Sequence, residues 1–244
     1  MATVCNSSGR LVRVRLTRLN ECGIPVVGAC SVVVSDAAVS VTDTAVYFDD
    51  DEIEQANGNG DRCVYDLKRG DLKRDDLQIQ LCRIDPDAIN IMTEYPLVTD
   101  AATPTPNTIG FSQESGLPIA NFALEIWQKV FGVTCTDPDA VPYQYWIWPW
   151  LSGGRVEEDI EFGNSATTLT ATAFTHEDSP WGVGPDTFLV QRDGTGVLSP
   201  LLDPITAREH RRTFFTTAPP PAAACGCVAL AADTPLVGAL AKSL

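Results

Sequence analysis

The sequence predicts a mainly β, antiparallel domain of sandwich or barrel-like type, with one short flanking helix and an extended C-terminal arm. Three observations carry this expectation. Period-2 alternation of β-branched and aromatic residues recurs between turn signals along most of the 244 residues. Only one stretch combines helical spacing with capping residues. The composition, 44% hydrophobic with a mean hydropathy of zero, supplies one full core, and all-β chains of this length commonly fold as one domain.

Leu11 to Leu19 reads as a strand with Val12, Val14 and Leu16 on one face and Arg13 and Arg15 on the other. Ala37 to Phe48 alternates Val39, Val41, Ala45 and Tyr47 with Ser40, Thr42 and Thr44, until Asp49, Asp50, Asp51 and Glu52 stop it. The stretch on to Asp61, which holds Glu54 and Asn57-Gly58-Asn59-Gly60, is turn chemistry under heavy negative charge and reads as an exposed loop or long hairpin tip. Arg74 to Ile84 resumes the pattern, setting Leu77, Ile79 and Leu81 against Asp76, Gln78 and Gln80. A short helix follows, because Asp85 can cap it, Pro86 suits its first turn, and Ile89, Met92 and Leu97 fall near helical spacing.

Residues 100–106, with two prolines, read as loop. Strands are expected again at Asn121 to Phe131, Tyr143 to Leu151, Arg155 to Phe162, Thr167 to Thr175 and Thr187 to Gln191, with Gly153-Gly154 as a hairpin turn. The last residues change character at Pro219, Pro220 and Pro221 and continue as Ala, Gly and Val. A β domain over 1–215 and an extended Pro/Ala-rich arm over 216–244 are the expected organisation.

Charge excludes one class of function. Seventeen basic against 32 acidic residues leave −15, whereas readers of DNA or RNA neutralise phosphates with Lys and Arg. No segment reaches the roughly 20 apolar residues of a membrane-spanning helix. Val27-Gly28-Ala29-Cys30 has the outline of a lipoprotein cleavage site, but Asn20, Glu21 and Pro25 stand where an apolar signal core belongs. The eight cysteines are therefore expected as thiols of a reducing cytoplasm, open to oxidation later, with no spacing that binds zinc or fixes a pairing.

Catalytic and cofactor motifs are equally unsupported. Asp49 to Glu54 with Asp61 misses the EF-hand offsets, Gly182-x-Gly184 and Gly194-x-Gly196 are lone fragments, and neither His176 nor His210 sits in a nucleophile motif. No enzyme activity, cofactor or metal is expected. Two rows of side chains remain. Trp146, Trp148 and Trp150 would share one strand face, which would suit stacking on sugar rings or burial between layers. Glu157, Asp159 and Glu161 share a face of the next predicted strand at about 6.5 to 7 Å spacing, too close to stay charged unless wet or paired.

Three stretches, taken in order, carry a resemblance. They are Asn57-Gly58-Asn59-Gly60-Asp61-Arg62-Cys63-Val64 with Leu77-Gln78-Ile79-Gln80-Leu81-Cys82 and Asp85-Pro86; Trp148-Pro149 leading to Ser179-Pro180-Trp181-Gly182-Val183-Gly184-Pro185; and Pro219-Pro220-Pro221 to Cys225-Gly226-Cys227. Together they resemble the major tail tube proteins of long-tailed, siphovirus-type phages of actinobacteria. The resemblance implies a β-sandwich subunit, six to a ring, with rings stacked into a hollow tube that conducts DNA during genome ejection. Its partners would be copies of itself, the tape measure protein, the tail terminator and the tail-tip proteins. DNA would pass through the lumen without specific binding. Assembly would take place in the host cytoplasm and the product would reside in the virion.

Within that picture Glu157, Asp159 and Glu161 are the lumen-facing candidates. Asp49, Asp50, Asp51, Glu52 and Glu54 are the inter-subunit loop candidates, and Pro219, Pro220 and Pro221 those of an inter-subunit arm. Arg13 and Arg15 must then be paired or face outward. The alternative reading is a carbohydrate-binding β-sandwich using the tryptophan row, and a carboxylate-dependent glycosidase comes third.

Overall fold

The computed structural model describes residues 9–83, 85–131, 142–159 and 168–231, with the backbone alone for Asp159. It is mainly β, with antiparallel pairing and a single short helix among these residues. The strands are β1 (Gly9–Leu19), β2 (Gly28–Ser35), β3 (Ala38–Tyr47), β4 (Asp51–Ala56), β5 (Arg62–Lys68), β6 (Leu72–Leu81), β7 (Leu97–Thr99), β8 (Thr108–Phe111), β9 (Asn121–Val130), β10 (Tyr143–Asp159), β11 (Thr168–Thr175), β12 (Gln191–Arg192), β13 (Leu198–Ser199), β14 (Arg212–Thr216) and β15 (Cys227–Leu230). Helix α1 spans Pro86–Thr93.

One sheet dominates, in the order β15-β2-β1-β9-β10-β11-β6-β3, with β14 paired to the first half of β10. Its central strands are buried on both faces, and two cores result. On β9, Phe122, Leu124 and Ile126 join one core while Ala123 and Trp127 join the other. The first core also takes Leu77, Ile79 and Leu81 of β6, Leu169, Ala171 and Ala173 of β11, and Ile89, Ile91 and Met92 of α1. Strands from both ends of the sheet thus converge on one apolar interior, so the sheet bends around it without closing into a barrel. The second core lies across the sheet, where Trp181, Phe188, Val190, Leu201 and Ile205 of the long connection to β14 cover Tyr145 and Ile147.

The alternation predicted for β1 holds for Val14 and Leu16, but Val12 packs with the second core. A bulge between Leu11 and Arg13 shifts the register and turns the earlier residue over. The same device corrects the tryptophan row. Trp146 and Trp148 stack on the first core, 6.2 Å apart and within 9° of parallel, while Trp150 lies on the second. The register of β10 against β9 shifts between Trp148 and Leu151, a span that contains Pro149, which has no N–H to give the ladder.

Gly153-Gly154 is not a hairpin turn. The chain runs through it as one 17-residue strand. A Cβ at Gly154 would stand 1.7 Å from the Met92 carbonyl oxygen, and one at Gly153 would stand 2.4 Å from the Phe174 ring. These glycines let α1 and β11 approach β10 directly. The helix itself follows the predicted capping: the Asp85 side chain accepts from the Asp87 N–H, Pro86 opens the first turn, and Glu94 closes the end in the left-handed region. Leu97 falls outside it, in β7.

One other expectation shifts. Thr187 to Gln191 is irregular up to Val190, and only Gln191 enters a strand, β12. Strand β2 has no counterpart among the expected strands, although Val33 is fully buried. Ile84, the expected end of β6, lies outside the described residues. No helix among the described residues is long and apolar enough to cross a membrane.

Candidate assembly surfaces

Strands β4 and β5 form a two-stranded antiparallel ribbon of their own, inserted between β3 and β6. Its tip is built by Asn57, whose Oδ1 accepts from the N–H groups of Asn59 and Asp61 at 3.0 and 2.9 Å, and by Gly60 at φ +87°. Its base is closed by the Phe48 N–H on the Asp71 carbonyl at 3.0 Å and by the Gly70 N–H on Asp50 Oδ1 at 2.9 Å. The predicted loop candidates Asp49, Asp50, Asp51, Glu52 and Glu54 all lie here, exposed.

Every residue of both ribbon strands is exposed, apolar ones included. The antiparallel register puts Ile53 and Val64 on one face and Tyr65 and Leu67, with Glu52 and Glu54, on the other. On that second face Glu54 pairs with Arg62 at 2.7 Å, and the guanidinium sits 4.5 Å over the Tyr65 ring. A ribbon with neither face covered is marginal in water. Each of its faces carries an apolar pair between charges.

A second surface is the outer side of β3, β6, β11 and the far half of β10. Ser40, Gln80, Thr170 and Glu157 form one row across it in register, and Thr42, Gln78, Thr172 and Arg155 form the next. A cleft of about 1120 Å³ opens on this face, walled by residues 114–120. Glu157 is exposed here beside Thr170. The side chain of Asp159, and the whole of Glu161, lie outside the described residues. Among those described, the face carries Arg74 and Arg155 against Asp76 and Glu157, with Arg74 and Asp76 paired at 2.7 Å. Its described residues are mainly hydroxyls and amides, with Glu114 at the wall of the cleft.

The third surface is the sheet edge made by the arm. Pro219, Pro220 and Pro221 carry the chain from β14 toward β2, where the Ala224 N–H bonds the Val34 carbonyl and β15 pairs antiparallel. Through Leu230, which is buried in the second core, the arm is laid on its own subunit and is not detached. The N-terminus of α1 clamps it: Asp85 Oδ2 accepts from the Gly226 N–H at 3.1 Å and Asp87 Oδ2 from the Cys227 N–H at 3.0 Å. A disulfide joins Cys30 to Cys227, a pairing that cysteine spacing left open. Residues 232–244 lie outside the described residues.

Buried polar groups complete the picture. Of the two arginines that had to be paired or face outward, Arg15 is paired: its Nε and Nη2 reach the two carboxylate oxygens of Glu125, each at 2.5 Å, both residues almost wholly buried. Arg13 is half-buried, and its Nε has no hydrogen-bond partner among the described residues. Tyr145 donates its hydroxyl to Glu125 Oε1. Burial, and then the Glu125 charge, push that phenol well above its ordinary range, so it stays a donor. Ser152 Oγ lies 2.5 Å from His176 Nε2, a contact no motif announced; Ser152 is 2% exposed and His176 half-buried. The hydrogen bond satisfies the buried Ser152 hydroxyl.

No family model matches this sequence. No curated protein matches it either.

Proposed function

We propose that the chain is a structural virion subunit that assembles with copies of itself, as stacked hexameric rings, into the hollow tail tube of a long-tailed phage. The observation that supports this most directly is the β4–β5 ribbon, a marginal element with both faces bare that projects from an otherwise well-buried body. A neighbouring copy is the cover it fits, because repeated copies supply the same surface at fixed geometry. The ribbon's acidic first strand, from Asp51 to Glu54, meets its complement in Arg62 and Lys68 of a second strand and Arg69 just after it, within one copy or between two.

The polar wall of β3, β6, β11 and β10 is the surface offered to the lumen. A passing polyanion is held by arrays of Lys and Arg. Here hydroxyls and amides alternate, and Arg74 is already engaged by Asp76. A ring of six chains would carry about −90, six times the −15 of one, so the field around the passage remains repulsive within the screening length of about 8 Å. The tube then serves as the conduit for DNA, with the tape measure, terminator and tip proteins as its partners, built in the host cytoplasm and ending in the virion.

The sugar-binding alternative loses the three-ring row it was argued from, since Trp148 is buried and Trp150 faces the other core, although Trp146 and Trp148 still border a cleft. Negative-stain microscopy of the concentrated protein decides the matter: rings or tubes are expected, and a chain that stays solitary at every concentration and with tail-tip nuclei sinks the proposal. A ring structure with Glu157 on the outer surface would remove the wall assigned to the lumen.

A further inference from the structure

The N-terminus of α1 gathers two thiol sulfurs and a carboxylate at one point. Cys30 Sγ, Cys227 Sγ and an Asp87 carboxylate oxygen all lie within 4.8 Å of one another. They come from three separate parts of the fold: β2, β15 and the first turn of α1. Cys30 holds a left-handed backbone, φ +56°, which few residues other than glycine adopt. Gly226, at φ +79°, leaves only 3.0 Å between its absent Cβ and Asp87 Oδ2, so the arm can be drawn onto the carboxylate.

We infer that in the reduced chain these three side chains form a site for a borderline-soft divalent cation of the zinc class. Two thiolates and one carboxylate suit that class, and water takes the fourth position. The two sulfurs are bonded to each other in this structure. On reduction they must part to about 3.8 Å, the spacing that zinc bonds of about 2.3 Å at tetrahedral angles set, with the carboxylate oxygen already within 4.8 Å of both. The backbone frame does not depend on the sulfur–sulfur bond, because β15 is paired to β2 and the Cys227 N–H is held by Asp87. The same hydrogen bond orients the carboxylate.

The chemistry balances in two steps. A dithiol reductant gives two electrons and two protons to the disulfide, yielding the Cys30 and Cys227 thiols and an oxidised reductant. The cation then displaces both thiol protons to solvent as it binds. In a reducing compartment the metal ties the arm to the body. In an oxidising one the disulfide does so and the metal is expelled. The anchor is one place with two chemistries, and it stands apart from any role in tube assembly.

Cobalt(II) tests this directly. Titrated anaerobically into the reduced full-length chain, it is expected to give thiolate-to-cobalt charge-transfer absorption and tetrahedral d–d bands that saturate at one ion per chain. The oxidised chain should give neither. Cys30→Ser and Cys227→Ser should each abolish the charge-transfer band, and Asp87→Asn should weaken affinity about tenfold or more, no less than the loss of an outer-shell partner would. Cys22→Ser and Cys225→Ser, which remove exposed thiols outside the site, should leave it intact. Absence of the band in the reduced chain, its persistence in the Cys30→Ser and Cys227→Ser double variant, or its appearance in the oxidised chain overturns the assignment. Circular dichroism of each variant separates a lost ligand from a lost fold.

Discussion

The carbonyl oxygen of Met92 occupies the place where a side chain at position 154 would begin, 1.7 Å from the ideal Cβ of any residue other than glycine. The last turn of α1 is thereby seated on the backbone of β10, and Ile89, Ile91 and Met92, all fully buried, are pressed into the first core. Gly154→Ala forces the helix off or the strand aside. Because backbone and not a flexible side chain is in the way, the loss should reach or exceed the about 1–3 kcal/mol of ordinary overpacking. Urea unfolding measures it, and a midpoint equal to that of the parent would show that the helix seat is not where the geometry puts it.

Glu125 accepts from both Arg15 and Tyr145 in the second core, where Arg15 also lies 3.5 Å over the Phe188 ring. Glu125→Gln leaves a guanidinium buried without its counter-charge, and the expected loss is about 3–5 kcal/mol. Replacing the pair together, as Arg15→Met with Glu125→Leu, should recover part of it, since no uncompensated charge remains and only the Tyr145 hydroxyl is left without its acceptor. A double variant that loses the sum of the two single losses would mean that the pair is not coupled. Arg15→Met and Glu125→Leu made singly and together close the double-mutant cycle, read by denaturant midpoint.

What the sequence disclosed and what it hid divide along a physical line. Strands with one buried face, such as β6 with Leu77, Ile79 and Leu81, announce themselves by alternation, and α1 is announced by Asp85 and Pro86. Strand β2 is hidden because Val32, Val33 and Val34 are all buried, so no alternation remains to be read. Bulges erase the face of a residue without changing its identity, which is why Val12 and Trp150 cross to the second core. Contacts between distant positions leave no local trace: Arg15 and Glu125 are 110 residues apart, and Cys30 and Cys227 are separated by 197. Of the assembly candidates, the acidic residues from Asp49 to Glu54 were legible as an exposed loop or long hairpin tip, and the hairpin is what forms, with β4 paired to β5. Gly153-Gly154 carries a turn's composition for a reason of close approach.

His176 gives the fold a pH dependence. Burial first, and then the neighbouring His210, hold its imidazole below the ordinary value of 6.5. Ser152 bonds its Nε2, and the Trp150 and Phe174 rings flank it at 4.8 and 5.3 Å. The unfolded chain therefore binds a proton that the folded chain still refuses. Its contribution to stability is complete above the unfolded value and is lost as pH falls from there through the depressed folded value. Urea midpoints taken between about pH 7.5 and pH 5 should decline, and His176→Gln should decline less steeply over the same window. The slope is the readout, because the variant also changes the partner of Ser152. Parallel slopes in the two proteins would remove His176 as the cause.

The ribbon allows assembly to be separated from folding. Strands β3 and β6 stay paired from Ala38 with Leu81 down to Tyr47 with Leu72, below the point where the ribbon begins. Exchanging residues 50–69 for a short Asn-Gly turn therefore closes a hairpin that already exists. None of the removed side chains contributes to either core, so the subunit should keep its stability to within about 0.5 kcal/mol. Under the tube proposal the excised chain forms no rings or tubes at concentrations where the parent does. Ile53→Asp and Tyr65→Asp, one on each ribbon face, test the faces separately: a charge on a face that docks should suppress assembly, and on a solvated face it should change nothing. Tubes of normal length from the excised chain would free the ribbon of any part in joining copies, and would leave its bare apolar pairs to be explained by a different partner.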